Sequence, residues 1–174
     1  MTSTPVTPSR RGLLAAAASG LAVAATSAAA APGELSLAEI KKEADVACLY
    51  HCDFADTGRF DQMLTNIANH YSVYDADPFA LQLAIVAHGA GVKFFLKDFN
   101  GTSWAGETEA LKPFERVEAL SKNGLKVYLC DITFQRNKID KAKARDVAFA
   151  RFVPSGVAAV AALQAKGFAY LKVG

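Results

Sequence analysis

Two short, nearly unbroken apolar runs constrain this chain more than any other feature. They are Val46-Ala47-Cys48-Leu49-Tyr50-His51-Cys52 and Leu81-Gln82-Leu83-Ala84-Ile85-Val86-Ala87-His88. Neither shows the polar–apolar alternation of a strand with one wet face. Runs of this kind suit strands covered on both faces, as in a parallel sheet between helical layers. Between them Phe60, Met63, Leu64, Ile67 and Tyr71 recur at helical spacing, and Asp75-Ala76-Asp77-Pro78 stops the helix they predict.

The same alternation continues to the end of the chain. His88 leads into a tight Gly89-Ala90-Gly91 turn, and residues 92–96 read as a short helix or strand. Residues 99–111 read as loop. Phe114, Val117 and Leu120 mark a helix closed by Asn123-Gly124. A third strand follows, Leu125-Lys126-Val127-Tyr128-Leu129-Cys130, then a helical turn over 132–136 and a charged, solvated stretch over 138–145. Residues 149–153 form a short strand, Pro154-Ser155-Gly156 opens a helix over 157–166, and 168–172 form the last strand. The predicted fold is α/β: a three-layer α/β/α sandwich with a mostly parallel five-stranded sheet, one domain over 46–174. A short lead-in helix is expected within 31–45, where Ser36 and Glu39 fit a capping box.

The first thirty residues read as an export signal rather than as fold. Arg10-Arg11 precedes a weakly apolar, alanine-rich run that ends in Ser27-Ala28-Ala29-Ala30-Ala31-Pro32, and small residues at −3 and −1 predict cleavage after Ala30. A twin-arginine address is bacterial and implies a periplasmic protein. The run from Gly12 to Ala31 is uncharged but mostly alanine, which is poor material for a permanent membrane span. Arg10 and Arg11 are the only charged side chains in the leader. Without them the 19 basic residues fall to 17, equal to the 17 acidic ones. A neutral domain lacks the positive excess that nucleic-acid binding requires.

The chemistry concentrates at strand ends. In an open α/β sheet ligands bind just beyond the carboxyl ends of the strands, and Cys130 ends the third strand there. A predicted helix start follows it and favours a thiolate, whereas the Asp131 charge would oppose one if it faced the sulfur, and a buried cysteine can equally serve as a small hydrophobe. Cys52 ends the first strand. In an oxidising compartment three cysteines leave at least one unpaired within the chain. A Cys52–Cys130 disulfide requires their strands to be neighbours, while Cys48 and Cys52, four apart on one strand, cannot bridge. His88, Gly89 and Gly91 at the second strand's exit, with Asp131 and Ser155, complete a candidate ligand pocket. Cys52, Cys130 and a histidine such as His51 or His88 would suit zinc, but no CxxC or HxxxH pair is present, so no metal is assigned. No GxGxxG and no G-x-S-x-G occurs.

Tyr50-His51-Cys52-Asp53, Val86-Ala87-His88-Gly89-Ala90-Gly91-Val92, Val127-Tyr128-Leu129-Cys130, Phe152-Val153-Pro154-Ser155-Gly156-Val157 and Leu163-Gln164-Ala165-Lys166-Gly167-Phe168-Ala169-Tyr170 together resemble the DsrE/DsrF-like family. These are sulfur-relay proteins of bacterial sulfur oxidation and tRNA thiolation. The resemblance implies the three-layer fold, homo-oligomers that are often trimers or hexamers, and exchange of sulfur with donor or acceptor proteins. It also implies that Cys130 matches the sulfur-accepting cysteine and carries a persulfide, with no cofactor. Cys52 then stands as a candidate resolving thiol. Two other readings stay open: a non-catalytic module binding a small ligand or partner, and a thiol–disulfide protein using Cys52 and Cys130.

Overall fold

A computed structural model describes residues 1–2 and 31–174. The predicted leader and its cleavage point lie outside the described residues. Five strands, β1 (Val46–Cys52), β2 (Leu81–Ala87), β3 (Lys126–Cys130), β4 (Ala150–Val153) and β5 (Ala169–Leu171), form one sheet in the order β4-β3-β2-β1-β5. Every pairing in it is parallel. The helices are α1 (Thr57–Val73), α2 (Phe114–Ser121), α3 (Asp131–Arg136) and α4 (Gly156–Ala165). No described helix is long and apolar enough to cross a membrane.

Strand order explains the layers. From β1 the chain steps outward to β2, β3 and β4, and it then returns across the sheet to place β5 on the far side of β1. Right-handed crossovers put helices on one face while the chain steps one way and on the opposite face when it steps back. Side chains from α1, α2 and α3 accordingly join Tyr50, Leu83, Val127 and Phe152 in one core. On the opposite face Ala159 and Leu163 of α4 pack on Leu49, Val86, Tyr128 and Val153. The larger core is centred on aromatics: the Phe60 and Phe94 rings stack 4.0 Å apart, and both are fully buried. Each such side chain contributes roughly 1.5–3 kcal/mol through burial.

Local chemistry fixes the element ends. The Asp56 carboxylate accepts from the Arg59 backbone N–H at 2.6 Å and caps α1. Ser155 caps α4 by accepting from the Ala158 N–H at 3.3 Å. The predicted loop over 99–111 ends in a 3₁₀ turn, Thr108–Leu111. The charged stretch over 138–145 contains another, Lys141–Lys143, and closes on the fully buried Ala144.

The expected lead-in helix within 31–45 does not form. The Ser36–Glu39 box does, with the Ser36 backbone N–H and hydroxyl donating to Glu39 Oε2 at 2.8 and 2.6 Å, but it closes a single turn. The Lys166 ammonium donates to the carbonyls of Leu37, Ala38 and Ile40, oxygens that a continuing helix would need. Just before this turn the backbone of Gly33 and Leu35 bonds to Phe152 of β4.

Candidate functional site

Register sets the site. Cys48, Tyr50 and Cys52 of β1 face the α1/α2 core, so Leu49 and His51 face the α4 side. Alternation carries that side on to Asp53. Backbone pairing of the His88 N–H to the Cys52 carbonyl, 3.1 Å, extends the β1–β2 ladder one step and sets His88 beside Asp53. Ala87 is in register with Leu129 of β3, so the next step sets His88 beside Cys130, which itself pairs with Val153 of β4. Asp53, His88 and Cys130 therefore form a row across three strand exits on the α4 face.

Gly156, the first residue of α4, closes over this row. A Cβ there would lie 2.6 Å from His88 Cβ and 3.1 Å from Cys130 Cβ, so only glycine lets the helix start approach both side chains. Cys130 also immediately precedes α3, which begins at Asp131. The starts of α3 and α4 thus both adjoin Cys130, and helix N-termini favour negative charge. A cavity of about 350 Å³ opens here, lined by His88, Gly89, Cys130, Thr133, Arg136 and Ser155 among others. Gly89 has φ +54°, and its N–H is held by the Thr133 hydroxyl at 3.0 Å. Cys130 is only 4 % exposed, so reagents must reach it through this cavity. Ile132 and Val157 stand exposed on the rim.

His88 does not act alone. Its Nε2 lies 2.6 Å from Nε2 of His51, whose Nδ1 lies 2.9 Å from the hydroxyl of Tyr170 on β5. Burial pushes the His51 imidazole below its usual range; the Asp53 charge works against this, and His88 and Arg59 reinforce it.

The structure separates three predicted site residues from the cavity. Asp131 turns its carboxylate to Lys141 Nζ at 3.0 Å and to Gln135 Nε2 at 3.0 Å, in a neighbouring cleft with Glu34 and Ser36. Gly91 packs on Cys52: a Cβ there would lie 2.1 Å from the Cys52 carbonyl oxygen. Cys52 is fully buried on the opposite face from Cys130, with β2 between their strands. The condition for a Cys52–Cys130 disulfide, neighbouring strands, is not met. All three cysteines are free, and burial pushes the thiols of Cys48 and Cys52 upward, which disfavours the nucleophilic thiolate at both.

A model of the DsrE/DsrF-like family matches residues 22–173. The chain belongs to the DsrE/DsrF-like family. Among solved structures it is similar to a protein of unknown function from Methanobacterium thermoautotrophicum, with 21 % identity and a TM-score of 0.58 over 74 % of this chain and 99 % of that one. That likeness supports the fold alone. No curated protein matches the chain. The sequence reading weighed His51 only as a zinc ligand alongside the cysteines and did not bring it together with His88, and it missed Arg136 as a site residue. The i, i+2 spacing of His51 and Asp53 on a strand was the available signal for the first. Arg136, in the last turn of α3, gave none until that helix was placed against the cavity.

Proposed function

We propose that this protein is a sulfur carrier that accepts sulfane sulfur on Cys130 and passes it to an acceptor thiol. The observation that carries the reading is the setting of Cys130, at the carboxyl end of β3, beneath Gly156 and against a cavity that also holds Arg136. The Cys130 thiolate attacks the outer sulfur of a donor R–S–S⁻ or of thiosulfate. A new S–S bond forms, the donor's S–S bond breaks, and a thiolate or sulfite leaves with the electron pair. An acceptor thiolate then attacks the terminal sulfur, takes it as its own persulfide and releases Cys130 as thiolate. Charge balances in both steps, and no cofactor is required.

Arg136 and the first turns of α3 and α4 suit anionic donors and the anionic persulfide. The exposed Ile132 and Val157 offer apolar contact to a donor or acceptor protein, or to neighbouring protomers of a trimer or hexamer. Burial of Cys130 supports shielding of the persulfide from oxidants, which matters because the leader predicts a periplasmic location. The same burial also fits a ligand-binding module without covalent chemistry.

Intact mass spectrometry after incubation with thiosulfate or polysulfide separates these readings. The carrier gains one sulfur, about 32 Da, reversed by reductant, and Cys130→Ser gains none. An adduct of the same size on Cys130→Ser overturns the carrier reading. An unmodified wild-type protein with a ligand retained in native spectra favours the module. Fractionation of cells producing the full chain tests export, and mass photometry gives the oligomer size.

A further inference from the structure

The chain has three histidines, and two of them meet at the exits of β1 and β2 with their Nε2 atoms 2.6 Å apart. Two imidazole nitrogens at that separation either share one hydrogen, one ring donating to the other, or hold a cation between them. Asp53 adds a third donor: one ligand atom each from His51, Asp53 and His88 lies within 4.8 Å of the others. We propose that His51, Asp53 and His88 form a binding site for a divalent cation of the zinc class. This goes beyond the sulfur-carrier reading and does not depend on it.

The backbone builds this cluster. His51 lies on β1 and Asp53 two residues on, just past its end, so both face the α4 side, and the β1–β2 ladder continued one step sets His88 beside Asp53. Two imidazoles and one carboxylate match a three-ligand zinc site, in which a fourth position stays open. The donor set disfavours magnesium and calcium, which take oxygen ligands throughout. Tyr170 supplies the outer contact that metal-binding histidines use: its hydroxyl at 2.9 Å engages His51 Nδ1 and leaves Nε2 to face the cation. With metal–ligand bonds of about 2.0–2.2 Å, donor atoms in a tetrahedron stand roughly 3.4 Å apart. The imidazoles therefore part by less than about 1 Å, and the exposed Asp53 carboxylate closes in. Because His88 also lines the Cys130 cavity, the cation would sit at the edge of that cavity.

Zinc titration of the full chain against a chromophoric chelator tests the site, together with the absorption spectrum of the cobalt(II) form. One zinc per chain is expected. His51→Gln, His88→Gln and Asp53→Asn should each weaken binding at least tenfold, and Tyr170→Phe about tenfold, the usual effect of losing an outer contact. Asp53 and Tyr170 are both exposed, so their variants keep the test valid if a histidine variant unfolds. His70→Gln and Cys130→Ser should bind as the wild type does, and the cobalt spectrum should lack a sulfur-to-metal charge-transfer band. The proposal is overturned if wild type binds no zinc, if the double His51→Gln/His88→Gln variant still binds, or if Cys130→Ser abolishes binding. Loss of sulfur loading in Cys130→Ser with zinc binding intact separates this site from the carrier chemistry.

Discussion

Replacing Gly156 with alanine perturbs the site through one methyl group. The added carbon would lie 2.6 Å from His88 Cβ and 3.1 Å from both Cys130 Cβ and His88 Cδ2. Carbon–carbon contacts favour about 3.5–4.0 Å, so the start of α4 or the His88 ring must yield by about 1 Å. Overpacking of this kind costs about 1–3 kcal/mol. Alanine's better helix propensity returns about 0.5–1 kcal/mol. A net loss of up to about 2.5 kcal/mol follows, which at about 2–4 °C per kcal/mol lowers Tm by up to roughly 10 °C. The effect on chemistry should be larger, because a misplacement of about 1 Å at reacting groups can cost about a hundredfold in rate. Scanning calorimetry reads the first effect, and the rate of sulfur loading on Cys130, followed by intact mass, reads the second. A variant as stable as wild type that loads at the same rate would refute the claim that Gly156 sets the distance between α4 and the Cys130–His88 row.

Gly91→Ala should be more damaging than Gly156→Ala, because its Cβ meets the Cys52 backbone carbonyl and not movable side chains; a loss of about 3 kcal/mol or more is expected by urea unfolding. Cys52→Ala should lose about 1–2 kcal/mol through the cavity it leaves yet load sulfur on Cys130 at the wild-type rate, and thiol titration of the unfolded wild type without reductant should find all three thiols. His70, held near the Tyr50 hydroxyl at 3.2 Å, has its pKa lowered by burial, so the unfolded chain takes up its proton first as pH falls below about 6.5. Stability should therefore fall on acidification from that pH, and His70→Gln should flatten that slope in thermal melts between about pH 7 and 5.

Much of this architecture was legible because burial leaves a direct mark on sequence. The β1 and β2 runs are apolar since helices cover both their faces, and the spacing of Phe60 to Tyr71 announced α1. Cys130 was visible as a strand-end thiol on the same grounds. What stayed hidden depends on strand order and on which face a side chain takes. Cys52 and Cys130 look equivalent until the register shows that they point to opposite faces with a strand between them. Gly91 looks like a pocket glycine, yet its missing side chain makes room for Cys52. The lead-in helix failed for a non-local reason: Lys166, far along the chain, occupies the carbonyls that the helix would have used.

The bonds between Gly33, Leu35 and Phe152 have a consequence for where this domain starts. They place residues 33–35 alongside β4, which is otherwise the outer strand of the sheet. Cleavage after Ala30, as the sequence predicts, would leave these residues in place and keep a cover over that edge. A chain shortened to begin at Ser36 would leave the Phe152 N–H and carbonyl without these partners and present β4 as a bare template for another strand, the situation that invites edge-to-edge aggregation. The other edge, β5, is only three residues long and offers such a template little purchase. Residues 33–35 thus act as a guard rail for the sheet.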